Sequence, residues 1–316
     1  MKILGISFGR KGRSCDIITK QALLAAKEAG AEVKFINTIK LNISHCKSCA
    51  ACIIGRDHGG QVKCAVKDDY QILEEEILNA DGIIVAAPVY ALAPVGQLKN
   101  FIDRFGPAHD LAGLTFEQEK RKKEGKELLD ERMFKRKYVS YISVGGAATR
   151  NWVSMGLPNF KMFAASSCWI PTGQLDVWDM GRRANPVFDD KLMSDAAELG
   201  KHMAECDGKD INNVTWFGEE GVCPVCHNSL ISIRSDADDI ECPICGIHGT
   251  LEVENKKIKI TFSQKEQNRA RGRWEGQLEH YNEINSMVEI AIPKLAAHKD
   301  DMAELLEPYE KFTNTY

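Results

Sequence analysis

A short apolar run, KILGISF, passes into the glycine-bearing turn GRKGRS, and the next segment, CDIITKQALLAAKEAG, repeats apolar residues at helical spacing. Ser14 stands where an N-cap belongs and Gly30 where the helix should stop. AEVKFINT then alternates as a strand does. The same alternation of elements recurs: DDYQILEEEILNA reads as helix, DGIIVAAPVY as buried strand, VGQLKNFIDRF as helix and KYVSYISVGG as strand. Strands and helices at this spacing predict a doubly wound parallel sheet over residues 1–205, with helices on both faces.

Two stretches break the pattern. Glu117 to Lys137, EQEKRKKEGKELLDERMFKRK, is strongly charged and is expected to be a solvated helical excursion. Beyond AECDGKDINNV the composition shifts: residues 219–262 carry short β-like runs between cysteine pairs, and residues 263–316 read as a charged helical tail. The basic run Arg269 to Arg273 beside Trp274 is expected to serve packing between subunits or domains, with nucleic acid an unfavoured alternative.

Composition narrows the classes. With 44% hydrophobic residues, 27% charged residues and a formal net charge of −4, the 316-residue chain has no basic excess for nucleic acid or anionic membranes. MKILGISFGRKG lacks the apolar run of a signal peptide, and no window is apolar enough to span a bilayer, so a cytoplasmic protein is expected. In that compartment eleven cysteines point to metal or redox chemistry before disulfides.

A parallel sheet binds ligands beyond the carboxyl ends of its strands. SFGRKGRS lies at such an end, with hydroxyls at Ser7 and Ser14, cations at Arg10 and Lys11, and flexible backbone at Gly9 and Gly12, a set that suits one monophosphate. Pro88, Val89 and Tyr90 close the second buried strand, where they can line a flat ring, and Gly145-Gly146 after the next strand permits close backbone approach. Asp68 and Asp69 begin a helix and are read as capping it.

These segments, GISFGRKGRSCDI and DDYQILEEEILNADGIIVAAPVYALAPVGQLKNFIDR with the cysteines between them, resemble the NADPH-dependent FMN reductase family and its iron-sulfur flavoprotein branch. The resemblance covers about the first 170 residues. It implies a flavodoxin-like fold, with FMN held by Ser7, Arg10, Gly12 and Ser14, by Pro88, Val89 and Tyr90, and by Gly145 and Gly146. The flavin would supply the redox chemistry and the protein its position and electrostatics, with no acid or base side chain required.

Cys46, Cys49 and Cys52 repeat the three-ligand run of a 4Fe-4S site, and Cys64, after an insertion GRDHGGQ, is the candidate fourth ligand. Thiol redox groups without iron, or zinc, are the alternatives. Cys223-Pro-Val-Cys226 and Cys242-Pro-Ile-Cys245 form two knuckles fifteen residues apart, the pattern of a closed four-thiolate zinc ribbon, with rubredoxin-like iron the alternative. His227 and His248 are read as surface residues, and Cys15, Cys168 and Cys206 are given no role.

The expected architecture is thus an α/β flavodoxin-like doubly wound sheet with a small β zinc-ribbon module and a helical C-terminal tail. The expected activity is an FMN-dependent oxidoreductase that passes electrons from NAD(P)H or a reduced ferredoxin, through FMN and a 4Fe-4S cluster, to a small acceptor such as a quinone or flavin. A homodimer or homotetramer is expected. The competing expectation is a redox-sensing regulator whose ribbon and basic tail bind nucleic acid or a protein.

Overall fold

Strands β1 (Lys2–Ser7), β3 (Gly82–Tyr90) and β5 (Tyr138–Val144) are almost wholly buried along their length, which is why they read as continuous apolar runs. In the computed structural model, which describes residues 1–233 and 235–312, they form the centre of a parallel sheet. β2 (Glu32–Asn37) is one edge and β6 (Ile170–Val177) the other, in the order β2-β1-β3-β5-β6. A short β4 (Ala93–Pro94) folds back antiparallel on β3. The chain moves from β1 outward to β2 and then across to β3, so strand order reverses between β1 and β3, where such sheets bind ligands.

Helices cover both faces. α1 (Ser14–Glu28) and α9 (Asp190–Ala204) pack on one, burying Ile18, Leu23, Leu199 and Met203. Their backbones touch: a Cβ added at Gly200 would lie 1.8 Å from the Ala22 carbonyl oxygen. Along the sequence lie α2 (Ala51–Asp57), α3 (Tyr70–Asn79), α4 (Gly96–Ala108), α5 (Leu111–Glu124), α6 (Gly156–Phe160), α7 (Met162–Ala165) and α8 (Met180–Arg183). Tyr70, Phe101, Phe105, Phe160 and Phe163 from this set fill the opposite core with Trp169.

Two local expectations change. Ser14 is the first residue of α1, not its cap; the capping position is Arg13, which makes no side-chain cap bond. The charged segment is not simply solvated, because the Arg121 side chain of α5 is fully buried. Its guanidinium donates to Glu117 at 2.8 Å and to the carbonyls of Arg56 at 2.8 Å and Gly60 at 2.6 Å. Directed acceptors, rather than water, satisfy this charge, and the bonds clamp the insertion between Cys52 and Cys64.

Strands β7 (Ser232–Ile233), β8 (Ile240–Cys242), β9 (Ile247–Glu254) and β10 (Lys257–Thr261) make a separate antiparallel sheet. The segment leading into it pairs with the edge of β6, Phe217 N–H donating to Thr172 and Gln174 N–H to Phe217, both at 2.9 Å. After α10 (Gln264–Asn268) come α11 (Trp274–Ala297) and α12 (Met302–Glu310). The chain divides into two compact units, Met1–Gln277, which includes the large sheet and the small one, and a second from Leu278 onward. In the second, Ala291, Leu295, Met302 and Leu305 line one apolar recess. Arg234 of the expected ribbon and residues 313–316 of the expected tail lie outside the described residues.

Candidate functional site

The carboxyl ends of β1, β3 and β5 are neighbours, with Ser7 opposite Ala86 and Pro88 opposite Val144. Their loops therefore meet at one end of the sheet. In the first, Arg10, Lys11, Gly12 and Arg13 are exposed and Ser14 is half-buried, while Gly12 takes a φ of +70° with open space above it. The unpaired first-turn N–H groups of α1 and three cations give this turn the chemistry that suits an anion. Ser7 lies below the turn, fully buried, its hydroxyl donating to Asp16 at 2.6 Å. Asp16 also accepts from Gly12 N–H and from Asn37, each at 2.7 Å. Sequence reading overlooked Asp16; a carboxylate in the first helical turn, so close to the phosphate candidates, was the available signal.

The second loop reverses in two residues, Ala91 at φ 47° and Leu92 at φ 73°. A left-handed pair without glycine costs energy and implies that the surrounding hairpin holds it. It leaves Tyr90 and Leu92 exposed. In the third loop Gly145 is buried, its N–H donating to Val177 at 2.7 Å, and an added Cβ would meet Val153 at 2.1 Å. Gly146 is exposed. Gly156 passes so near β3 and β5 that a Cβ would fall 2.3 Å from Ser143 and 2.8 Å from Val89. Trp152 and Met155, in the segment that leads to Gly156, are exposed. An anion turn beside an apolar aromatic rim fits the phosphate and the flat ring of FMN.

The profile of the NADPH-dependent FMN reductase family matches residues 1–174. The chain belongs to this family. This FMN reductase homologue is an oxidoreductase. It is 27% identical over 266 residues to the flavone synthase cfoJ of Aspergillus candidus, covering 80% of this chain and 79% of that one. It is 44% identical to the iron-sulfur flavoprotein of Methanosarcina thermophila over 105 residues, 33% of this chain and about half, 52%, of the relative. A solved structure of a flavone reductase superimposes with a TM-score of 0.82 at 28% identity, covering 100% of this chain and 99% of that one.

The first cysteine set lies on a loop and helix, Cys46 and Cys49 exposed, Cys52 and Cys64 half-buried. Ser48 and Ala50 take φ of 51° and 53°, bending the chain on both sides of Cys49. Burial pushes the Cys52 thiol up, and the charges of Cys64 and Cys46 add to the shift. The Arg121 clamp folds the insertion back, as does Gly60 N–H donating to Gly55 at 2.7 Å. Beneath it the buried Arg104 guanidinium chelates Asp68 at 2.7 and 2.9 Å. Asp68 is thus an ion-pair partner that also accepts from Ser44 N–H at 2.8 Å, while Asp69 accepts from Asn42 N–H at 2.7 Å, so neither acts chiefly as a helix cap.

The second set is closed. The sulfurs of Cys223, Cys226, Cys242 and Cys245 all lie within 4.8 Å of one another and are buried, and they are the one such group among the described residues. The residue after each knuckle is left-handed, His227 at φ 54° and Gly246 at φ 67°, and their N–H groups donate to Cys223 at 2.9 Å and Cys242 at 2.8 Å. This compact tetrathiol fits one metal ion. His227 is mostly buried, correcting its surface reading: it stacks on Trp216 at 3.9 Å, away from the ligand set. Burial pushes the Cys15 and Cys168 thiols up to about 12 and Cys206 to about 11, which makes all three inert at neutral pH. Among the described residues no helix is long and apolar enough to cross a membrane.

Proposed function

We propose that this protein is an FMN-dependent reductase of flavone-class compounds, using NAD(P)H as donor. The observation that carries the reading is the match of the whole chain, ribbon and tail included, to a flavone reductase, whereas the iron-sulfur flavoprotein matches one third of it. The flavin, when bound, supplies two-electron hydride chemistry. NAD(P)H and a proton would reduce the ring C=C conjugated to the carbonyl, giving NAD(P)+ and the flavanone. Arg10, Gly12 and Ser14 would hold the phosphate, Ser7 and Asp16 would shape its turn, and Pro88, Val89, Tyr90, Gly145 and Gly146 would bound the ring. Exposed Tyr90, Leu92, Trp152 and Met155 supply the apolar rim that a flat aromatic acceptor needs.

Cys46, Cys49, Cys52 and Cys64 would carry a 4Fe-4S cluster, which spaces its thiolates more widely than a single ion does and admits one-electron donors such as ferredoxin. The ribbon cysteines would carry structural zinc, and the working form would be a homo-oligomer. The deciding assay is anaerobic: FMN-loaded protein, NADH or NADPH, and flavone, with product identified by mass. Flavanone formation supports the reading. Turnover with a quinone or free flavin and none with flavone would return the acceptor to the class expected from sequence.

A further inference from the structure

A cavity of about 330 Å³ lies between the ribbon knuckles and the lower half of the large sheet, lined by Tyr141, Lys161, Trp169, Trp216, Cys226 and Arg273 among others. It is not the flavin end of the fold. Tyr141 stands three residues before the end of β5 and Ile170, also in the wall, seven before the end of β6, which is roughly 10 and 20 Å of strand.

Its walls are aromatic. Trp169 is buried, and Trp216 and His227 form one stacked plate with rings 7° from parallel. Two donors enter with bonding capacity left. Lys161, 5% exposed, donates to Gln174 at 2.7 Å and to the Cys226 carbonyl, with its ammonium 5.2 Å from the Trp216 ring. An ammonium has three N–H bonds, so one remains. The Nε of Arg273 is buried with no partner among the described residues.

Charge selects the ligand further. Among the described residues Lys161 bonds two neutral oxygens, those of the Gln174 amide and the Cys226 carbonyl, and a buried cation needs compensation. Four thiolates around a divalent ion carry two net negative charges, and Cys226 and Cys245 form part of this wall. They balance Lys161 and Arg273, and together with Glu220, also in the wall, they would repel a strongly charged anion. A volume at the lower end of ligand pockets suits two fused rings and excludes a dinucleotide. The geometry points to a second ligand site here, for a neutral planar aromatic molecule carrying an acceptor oxygen, a phenol or ring carbonyl. It is independent of which acceptor the flavin serves.

The test is calorimetric titration of the full chain, metal-loaded, with 2-naphthol. Saturable one-to-one binding is expected with FMN present and after its removal, and at least tenfold weaker binding of the non-planar decahydro-2-naphthol. Ala165→Phe, which adds bulk to the wall, should weaken 2-naphthol at least tenfold with flavin and metal contents unchanged. If that variant does not fold, Trp216→Ala, at a partly exposed position, should weaken binding at least fivefold. Absence of saturable binding, loss of binding on FMN removal, or unchanged affinity in the folded variants would overturn the site.

Discussion

Single side chains decide how the loops at the flavin end are held. Asp16 gathers Ser7, Gly12 and Asn37 onto one carboxylate inside the protein. Asp16→Ala leaves three donors without an acceptor, at a cost of about 2 kcal/mol, and the turn loses its shape. A tenfold or greater loss of FMN affinity is expected, read by flavin fluorescence titration. Asp68 shows the same logic with charge. Burial alone would raise its pKa, but Arg104 and the Ser44 and Tyr70 N–H groups bring it from 3.8 down to about 2. A folded pKa below the unfolded one means stability that is complete above about 4 and lost as pH falls toward 2. Asp68→Asn should cost about 3 kcal/mol at pH 7, because Arg104 is left buried without its partner. Its stability should also fall less steeply than the wild type's between pH 4 and 2; an identical acid profile would exclude this pair as the cause.

Among elements, the sequence was most readable where one period dominated. β1, β3 and β5 lie where apolar runs predicted them because a strand buried on both faces needs apolar residues throughout. The charged α5 was misread for the converse reason: a buried arginine satisfied by carbonyls from a distant loop leaves no trace in local periodicity. Nor does composition show that Gly200 is where α9 meets the backbone of α1. Gly200→Ala should force these helices apart and destabilise the protein by about 3 kcal/mol, seen as a lower thermal midpoint with the family's cofactor still bound at low temperature.

For the whole molecule, the ribbon cysteines are the one set gathered for a metal among the described residues. The ribbon sulfurs are buried together, while the first set is open and supported by Arg121 and Arg104 from the charged helix and α4. With the metals proposed above, Cys226→Ser should remove the ribbon metal and leave flavin binding and iron intact, and Cys49→Ser should remove iron and leave the ribbon metal. Elemental analysis with flavin quantitation distinguishes these outcomes; loss of both metals in either variant would make the sets one centre.

The sequence by itself determined the alternation of strands and helices, the glycine-bearing turn after β1, and the four-cysteine ribbon, because each depends on residue types at fixed short spacing. Tertiary structure alone decided that Asp16 shapes the turn from within and that Arg121 holds the insertion between Cys52 and Cys64. It also decided that the ribbon shares a unit with the parallel sheet and lines a cavity with it. These features join residues dozens of positions apart, and burial, which gives such contacts their strength, is a property of the folded chain rather than of any segment.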